Sequence, residues 1–242
     1  MPEITAILLD TEGVLYHRPR QDRHLTAFLQ QHGLHLRHRS VVQRALRAAI
    51  FDVQSGRITR DAFYDASLRV YGVADEALFP AGREALLRDA ADIELYPGVR
   101  DTLLYLYQNH YRLGAISDTP HSAREKVTWM AARGVPPMVW DTFMVSSEVG
   151  TLKISPEIFE HALLHLGTPA DGTAFVGHNT DELQRAAELG MMTIAFLPDE
   201  PTVQATHRIG SFYELQDLFV SQEDTGRGYY HPGNAAPGVS PD

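Results

Sequence analysis

From Tyr96 to Phe219 the sequence alternates helical and strand patterns, yet one strand candidate, Ile4–Leu9, stands alone ahead of that stretch. It is too short and too continuously apolar for an amphipathic helix, so it reads as a buried strand running into Asp10, Thr11, Glu12 and Gly13. The intervening residues are helical throughout. Their periodicity predicts helices over Asp22–His32, Val41–Val53, Thr59–Tyr71 and Asp75–Ala91, punctuated by Gly33, Gly56 and Gly72. After Tyr96-Pro97-Gly98, helices over Val99–His110, Ser122–Arg133, Pro156–Leu166, Thr180–Leu189 and Phe212–Phe219 alternate with strands. Those strands fall at Arg112–Ser117, Thr142–Val145, Ala174–Gly177, Met192–Phe196 and near His207–Ile209.

Bare apolar strands alternating with helices predict an α/β fold, a doubly wound (Rossmann-like) parallel sheet covered on both faces. A lone strand cannot satisfy its edges, so the simplest assembly inserts it into the later sheet. Residues 1–16 and 95–220 then form a discontinuous core, and residues 17–94 form an inserted all-α domain. Residues 221–242 contain seven Gly and Pro without a period, as expected of a flexible tail.

Charge narrows the function. Twenty-one basic against 31 acidic residues give a net charge of -10, which argues against a nucleic-acid partner. No apolar run approaches the ~20 residues of a membrane span, and the first run ends at Asp10 without the form of a signal peptide. With no cysteine there is no disulfide, thiolate metal site or cysteine nucleophile. A cytoplasmic protein is the expectation. Among the basic residues only Lys126 and Lys153 are lysines, so each one invites a reason.

Ligands of open parallel sheets bind beyond the carboxyl ends of the strands. Those exits carry Asp10 and Glu12, then Ser117 and Asp118, then the loop to Lys153, and finally His178, Asn179, Asp181 and Glu182. Converging carboxylates repel and call for a cation; a hard divalent ion such as Mg2+ prefers such oxygen ligands. Lys153 would hold the anionic end of a substrate or a developing oxyanion.

Ile7-Leu8-Leu9-Asp10-Thr11-Glu12-Gly13 resembles the first motif of the haloacid dehalogenase superfamily, an apolar strand running into Asp-x-Asp-Gly. Leu113-Gly114-Ala115-Ile116-Ser117-Asp118 is similar to the second motif, and Val145–Gly150 through Lys153 and Pro156 to the third. Phe175-Val176-Gly177-His178-Asn179-Thr180-Asp181-Glu182 stands where the fourth belongs. The four occur in order, with the helical insertion where one branch of the family places its cap.

The resemblance implies a phosphatase acting on a small phosphorylated metabolite. Asp10 would be a covalent nucleophile, Glu12 the acid and base, Ser117 and Asp118 substrate-binding, and Lys153 the partner of Asp10 and the phosphoryl group. Mg2+ would be held by Asp10, by residue 12 through its main chain, and by Asp181 or Glu182. The cap would close over the site and select the substrate.

Two positions depart from that pattern. Position 12 carries Glu instead of Asp, and an ångström of displacement costs on the order of 100-fold in rate. Position 178 carries His where the metal-binding Asp belongs, and imidazole is a poor partner for Mg2+. The departures leave two alternatives: a catalytically degenerate protein with a binding or regulatory role, or a metal-independent displacement on carbon of the dehalogenase type.

Overall fold

The computed structural model describes residues 3–219; the tail expected over 221–242 lies outside the described residues. Six strands form one parallel sheet, in the spatial order Thr142–Val145, Arg112–Ser117, Ala6–Asp10, Thr173–Gly177, Met192–Phe196 and His207–Ile209. In chain order the elements are β1 (Ala6–Asp10), β2 (Tyr16–His17), α1 (Arg23–Gln31), α2 (Arg39–Gln54), α3 (Arg60–Val70), α4 (Phe79–Ala91) and β3 (Glu94–Leu95). There follow α5 (Val99–Gln108), β4 (Arg112–Ser117), α6 (Ala123–Ala131), β5 (Thr142–Val145), α7 (Ser146–Val149) and α8 (Glu157–Leu166). The chain continues through β6 (Thr173–Gly177), α9 (Thr180–Glu188), β7 (Met192–Phe196), β8 (His207–Ile209) and α10 (Phe212–Leu218).

The first strand lies centrally, between β4 and β6, although its sequence neighbours are helices. Its side chains alternate as a strand requires. Ile7 and Leu9 enter a cluster with Val99 and Leu103 of α5 and Phe212 and Leu215 of α10. Ala6 and Leu8 enter another with Ile158 and Phe159 of α8 and Leu183 and Ala186 of α9. Both faces are therefore covered, which explains why β1 is apolar at every position up to Asp10.

Helices α1 to α4 enclose a third apolar cluster of their own, built on Leu25, Leu29, Leu68 and Phe79. The chain entering and the chain leaving this block pair as a short antiparallel ribbon, Tyr16 opposite Leu95 and His17 opposite Glu94. Two-residue strands carry no readable period, and sequence reasoning missed them. The last helix of the block also starts late, behind a 3-10 turn at Glu76–Leu78.

The block sits on the carboxyl edge of the sheet. Arg60 of α3 pairs with Glu125 of α6 at 2.5 Å, and Gln54 donates to the Asp118 carbonyl at 3.5 Å. Gly56, at φ +70°, approaches so closely that a Cβ there would lie 2.5 Å from the Ser147 carbonyl oxygen.

Candidate active site

Parallel register delivers the site. Asp10 ends β1 opposite Ile116, so Ser117 emerges one residue further on, and Leu9 lies opposite Val176, just before Gly177 and His178. Asp10 is buried. Its Oδ1 accepts from Lys153 Nζ at 2.6 Å and from the Thr11 amide at 2.7 Å. Its Oδ2 faces His178 Nδ1 at 3.3 Å, close enough to pair but not aligned as a hydrogen bond. Burial alone would favour the neutral acid. Lys153 and then His178 outweigh it, holding Asp10 ionised and well below the usual carboxylate range.

Lys153 is the hub. Its ammonium also lies 3.0 Å from Glu182, and its main-chain amide donates to Asp118 at 3.0 Å. Burial disfavours the ammonium, but Asp10, Glu182 and Asp118 raise its pKa above the ordinary lysine value. Burial pushes Glu182 up to about 7 against the pull of Lys153, and burial likewise raises Asp118. Ser117 Oγ lies 2.7 Å from Thr11 Oγ1, both buried beside Asp10 in sequence and register. Thr11 carries no local sequence signal that marks it for this contact. The Asn179 side chain accepts from the Asp181 and Glu182 amides and caps α9, an assignment that Asn before two acids does allow.

His178 is placed by its neighbours. Its ring lies over Gly13, where a Cβ would come within 2.8 Å of it, and its Nε2 lies 3.7 Å from Asp199. Asp10 beside it raises the imidazole above its ordinary value, against partial burial.

The expected metal ligands are not brought together. Glu12 pairs with Arg18 at 2.6 Å, its side chain 47% exposed, and makes no hydrogen bond or ion pair with Asp10 or Lys153. Asp181 is exposed on the first turn of α9. Glu182 and one Asp10 oxygen are taken by Lys153, and the other Asp10 oxygen faces an imidazole. Among the described residues no group of three His, Asp or Glu could hold a metal ion. The residues present therefore do not fit Mg2+: an ammonium stands at one oxygen and an imidazole at the other oxygen of Asp10, the carboxylate that would anchor it.

A family model for haloacid dehalogenase-like hydrolases matches residues 4–190. The chain belongs to that family. No curated protein matches it in sequence. Among solved structures, a 2-haloacid dehalogenase from Pseudomonas syringae pv. tomato DC3000 superposes at TM-score 0.67 with 18% identity, covering 89% of this chain and 97% of that one. A predicted phosphoglycolate phosphatase from Haemophilus somnus 129PT gives 0.65 with 14% identity, covering 90% and 99%. The HAD-hydrolase YfnB from Bacillus subtilis, bound to magnesium, gives 0.69 with 17% identity, covering 90% and 99%. At such identities the likeness shows the fold, so the chemistry of this haloacid dehalogenase-like chain has to be read from its own residues. No described helix is long and apolar enough to cross a membrane.

Proposed function

We propose that this chain is a hydrolase that works through a covalent adduct on Asp10, displacing a leaving group that needs neither a metal ion nor a proton. The observation that carries this is the pairing of Glu12: its carboxylate is held by Arg18 and makes no hydrogen bond to Asp10 or Lys153. An alkoxide leaving from phosphorus or carbon needs a general acid, whereas a halide departs as the anion. The ionised Asp10, fixed by Lys153, is then the nucleophile.

In the first step an Asp10 oxygen attacks the substrate carbon, the carbon–halogen bond breaks, and halide leaves with the electron pair. Asp10 becomes a neutral ester. Lys153 and His178 lose their anion at that moment, so His178 gives its proton to solvent. The neutral ring then takes a proton from the attacking water, passes it to the departing alcohol oxygen, and finally receives the proton of the regenerated Asp10 acid. Water attacks the ester carbonyl, the alcohol departs, and Asp10 is restored as carboxylate. The sum is R–X plus water giving R–OH plus HX.

A phosphomonoester of a small metabolite is the second reading, favoured by the exposure of Glu12. Exposed ion pairs are worth only about 0–1 kcal/mol, so releasing Glu12 from Arg18 to protonate an alkoxide costs little. One panel separates the two: short 2-halocarboxylates and phosphomonoesters, each with Mg2+ and with chelator, and with Asp10→Asn as the blank. Chelator-insensitive halide release that vanishes in the blank is the expected result. Phosphate release that requires Mg2+ would overturn the first reading, and no turnover of any substrate would leave a protein that binds without reacting.

A further inference from the structure

The second lysine of the chain is also buried, and nothing in the proposed chemistry uses it. Lys126, on α6, is 4% exposed. Its ammonium donates to the Tyr16 hydroxyl at 2.5 Å and lies 5.2 Å from the Tyr16 ring centroid and 5.8 Å from that of Trp129. Among the described residues no carboxylate pairs with it. A buried cation that answers only to a neutral hydroxyl and two ring faces is costly to fold around.

That ammonium borders a cavity of about 260 Å3 between the helical block and the sheet edge, which also reaches Glu12 and Asp118 at the strand exits. The acids facing this cavity are engaged elsewhere. Glu12 pairs with Arg18, Asp118 accepts the Lys153 amide, and Asp89 accepts the His24 and Leu25 amides at 2.8 Å each. Asp22 has Asp89, Arg18 and Arg39 as its charged neighbours, so the two arginines offset the repulsion of the second acid. His121, on the same wall, is kept neutral by burial. The local positive charge without an anion is therefore at Lys126.

We propose that Lys126 anchors an anion subsite, taking a carboxylate or phosphate group of the ligand other than the one that reacts at Asp10. The aromatic rings of Tyr16 and Trp129 hold the ammonium in place while the cavity is empty, and the anion displaces the Tyr16 hydroxyl from the ammonium when it is filled. The assignment does not depend on which displacement Asp10 performs. It selects substrates that carry an anionic group apart from the group that reacts.

Trp129 reports on this site directly. In a Trp140→Phe background, where Trp129 is the sole indole, titration with inorganic phosphate is expected to change its fluorescence saturably. Loss of one charge-assisted contact predicts that Lys126→Met weakens binding by about tenfold or more, whereas Lys126→Arg stays within about threefold. Removing the competing hydroxyl in Tyr16→Phe tightens binding, a result that stands even if Lys126→Met fails to fold. Wild-type affinity in Lys126→Met, no tightening in Tyr16→Phe, or no saturable response in the background protein would each overturn the subsite. No turnover enters this test, so its failure is distinct from failure of the Asp10 chemistry.

Discussion

His178 Nδ1 lies 3.3 Å from Oδ2 of Asp10, the oxygen that Lys153 leaves free. An imidazole, not a further carboxylate, thus stands against the oxygen of the nucleophile that Lys153 does not hold. Replacing it by a carboxylate, His178→Asp, adds one negative charge and one hard oxygen donor beside Asp10. The variant is expected to gain Mn2+ binding, followed by electron paramagnetic resonance, while the wild type shows none at millimolar ion. Tight Mn2+ binding by the wild type would show that the site rearranges around the ion after all.

Gly13 carries that imidazole. It adopts φ +87°, and a Cβ would meet the His178 ring at 2.8 Å. A side chain there is strained in backbone and in contact at once, so Gly13→Ala is expected to lose roughly 1–3 kcal/mol of stability. Urea denaturation measures it. A midpoint shift worth less than about 0.5 kcal/mol, the usual range of an innocuous surface change, would contradict the packing described.

Most of this architecture was legible because it depends on period and order. The β4, β5 and β7 boundaries match the expected strands residue for residue, and helix ends differ by a residue or two, apart from the late start of α4. Asp10, Ser117 and Lys153 were legible because strand exits and motif order place them together. The direction of Glu12 was not: it depends on Arg18, whose approach is set by the Tyr16–Leu95 ribbon, and neither has a local signature. The role of His178 was half legible. Its departure from an acid is visible in sequence, but its contact with Asp10 requires the tertiary approach of β1 and β6.

Glu12 tests the leaving-group argument. If the departing group needs no proton, Glu12→Gln should keep halide release within about threefold of wild type, since the side chain pairs only with the half-buried Arg18. A loss of about 100-fold or more, the scale of a missing general acid, would mean that Glu12 swings inward during turnover. Steady-state kinetics on the same substrate pair decides it.

Lys126→Met removes a desolvated charge and leaves a side chain of similar reach among Tyr16 and Trp129. Stability is expected to rise by on the order of 1 kcal/mol, because buried charges without counterions cost more than their cation–π contacts return. Thermal unfolding without added anions checks the sign. A lowered melting temperature would make Lys126 a structural residue and remove the energetic reason for an anion beside it.

His121 gives the protein an acid limit of its own. It is buried against Trp129, its rings 4.9 Å apart, with Tyr64 of the helical block 3.4 Å from its Nε2. Burial, with Lys126 and Arg60 adding repulsion, pushes its pKa down to about 3 from 6.5. The native state thus keeps the ring neutral between those values while the unfolded chain protonates it, so the unfolded state binds more protons there. Stability from this group is complete above pH 6.5 and falls as pH drops toward 3, with a slope of up to about 1.4 kcal/mol per pH unit. His121→Gln, which cannot titrate, is expected to flatten that slope in urea unfolding between pH 6.5 and 5, whatever it does to stability at pH 7.5. An unchanged slope would mean that water reaches the ring and that the block does not seal this face of the site.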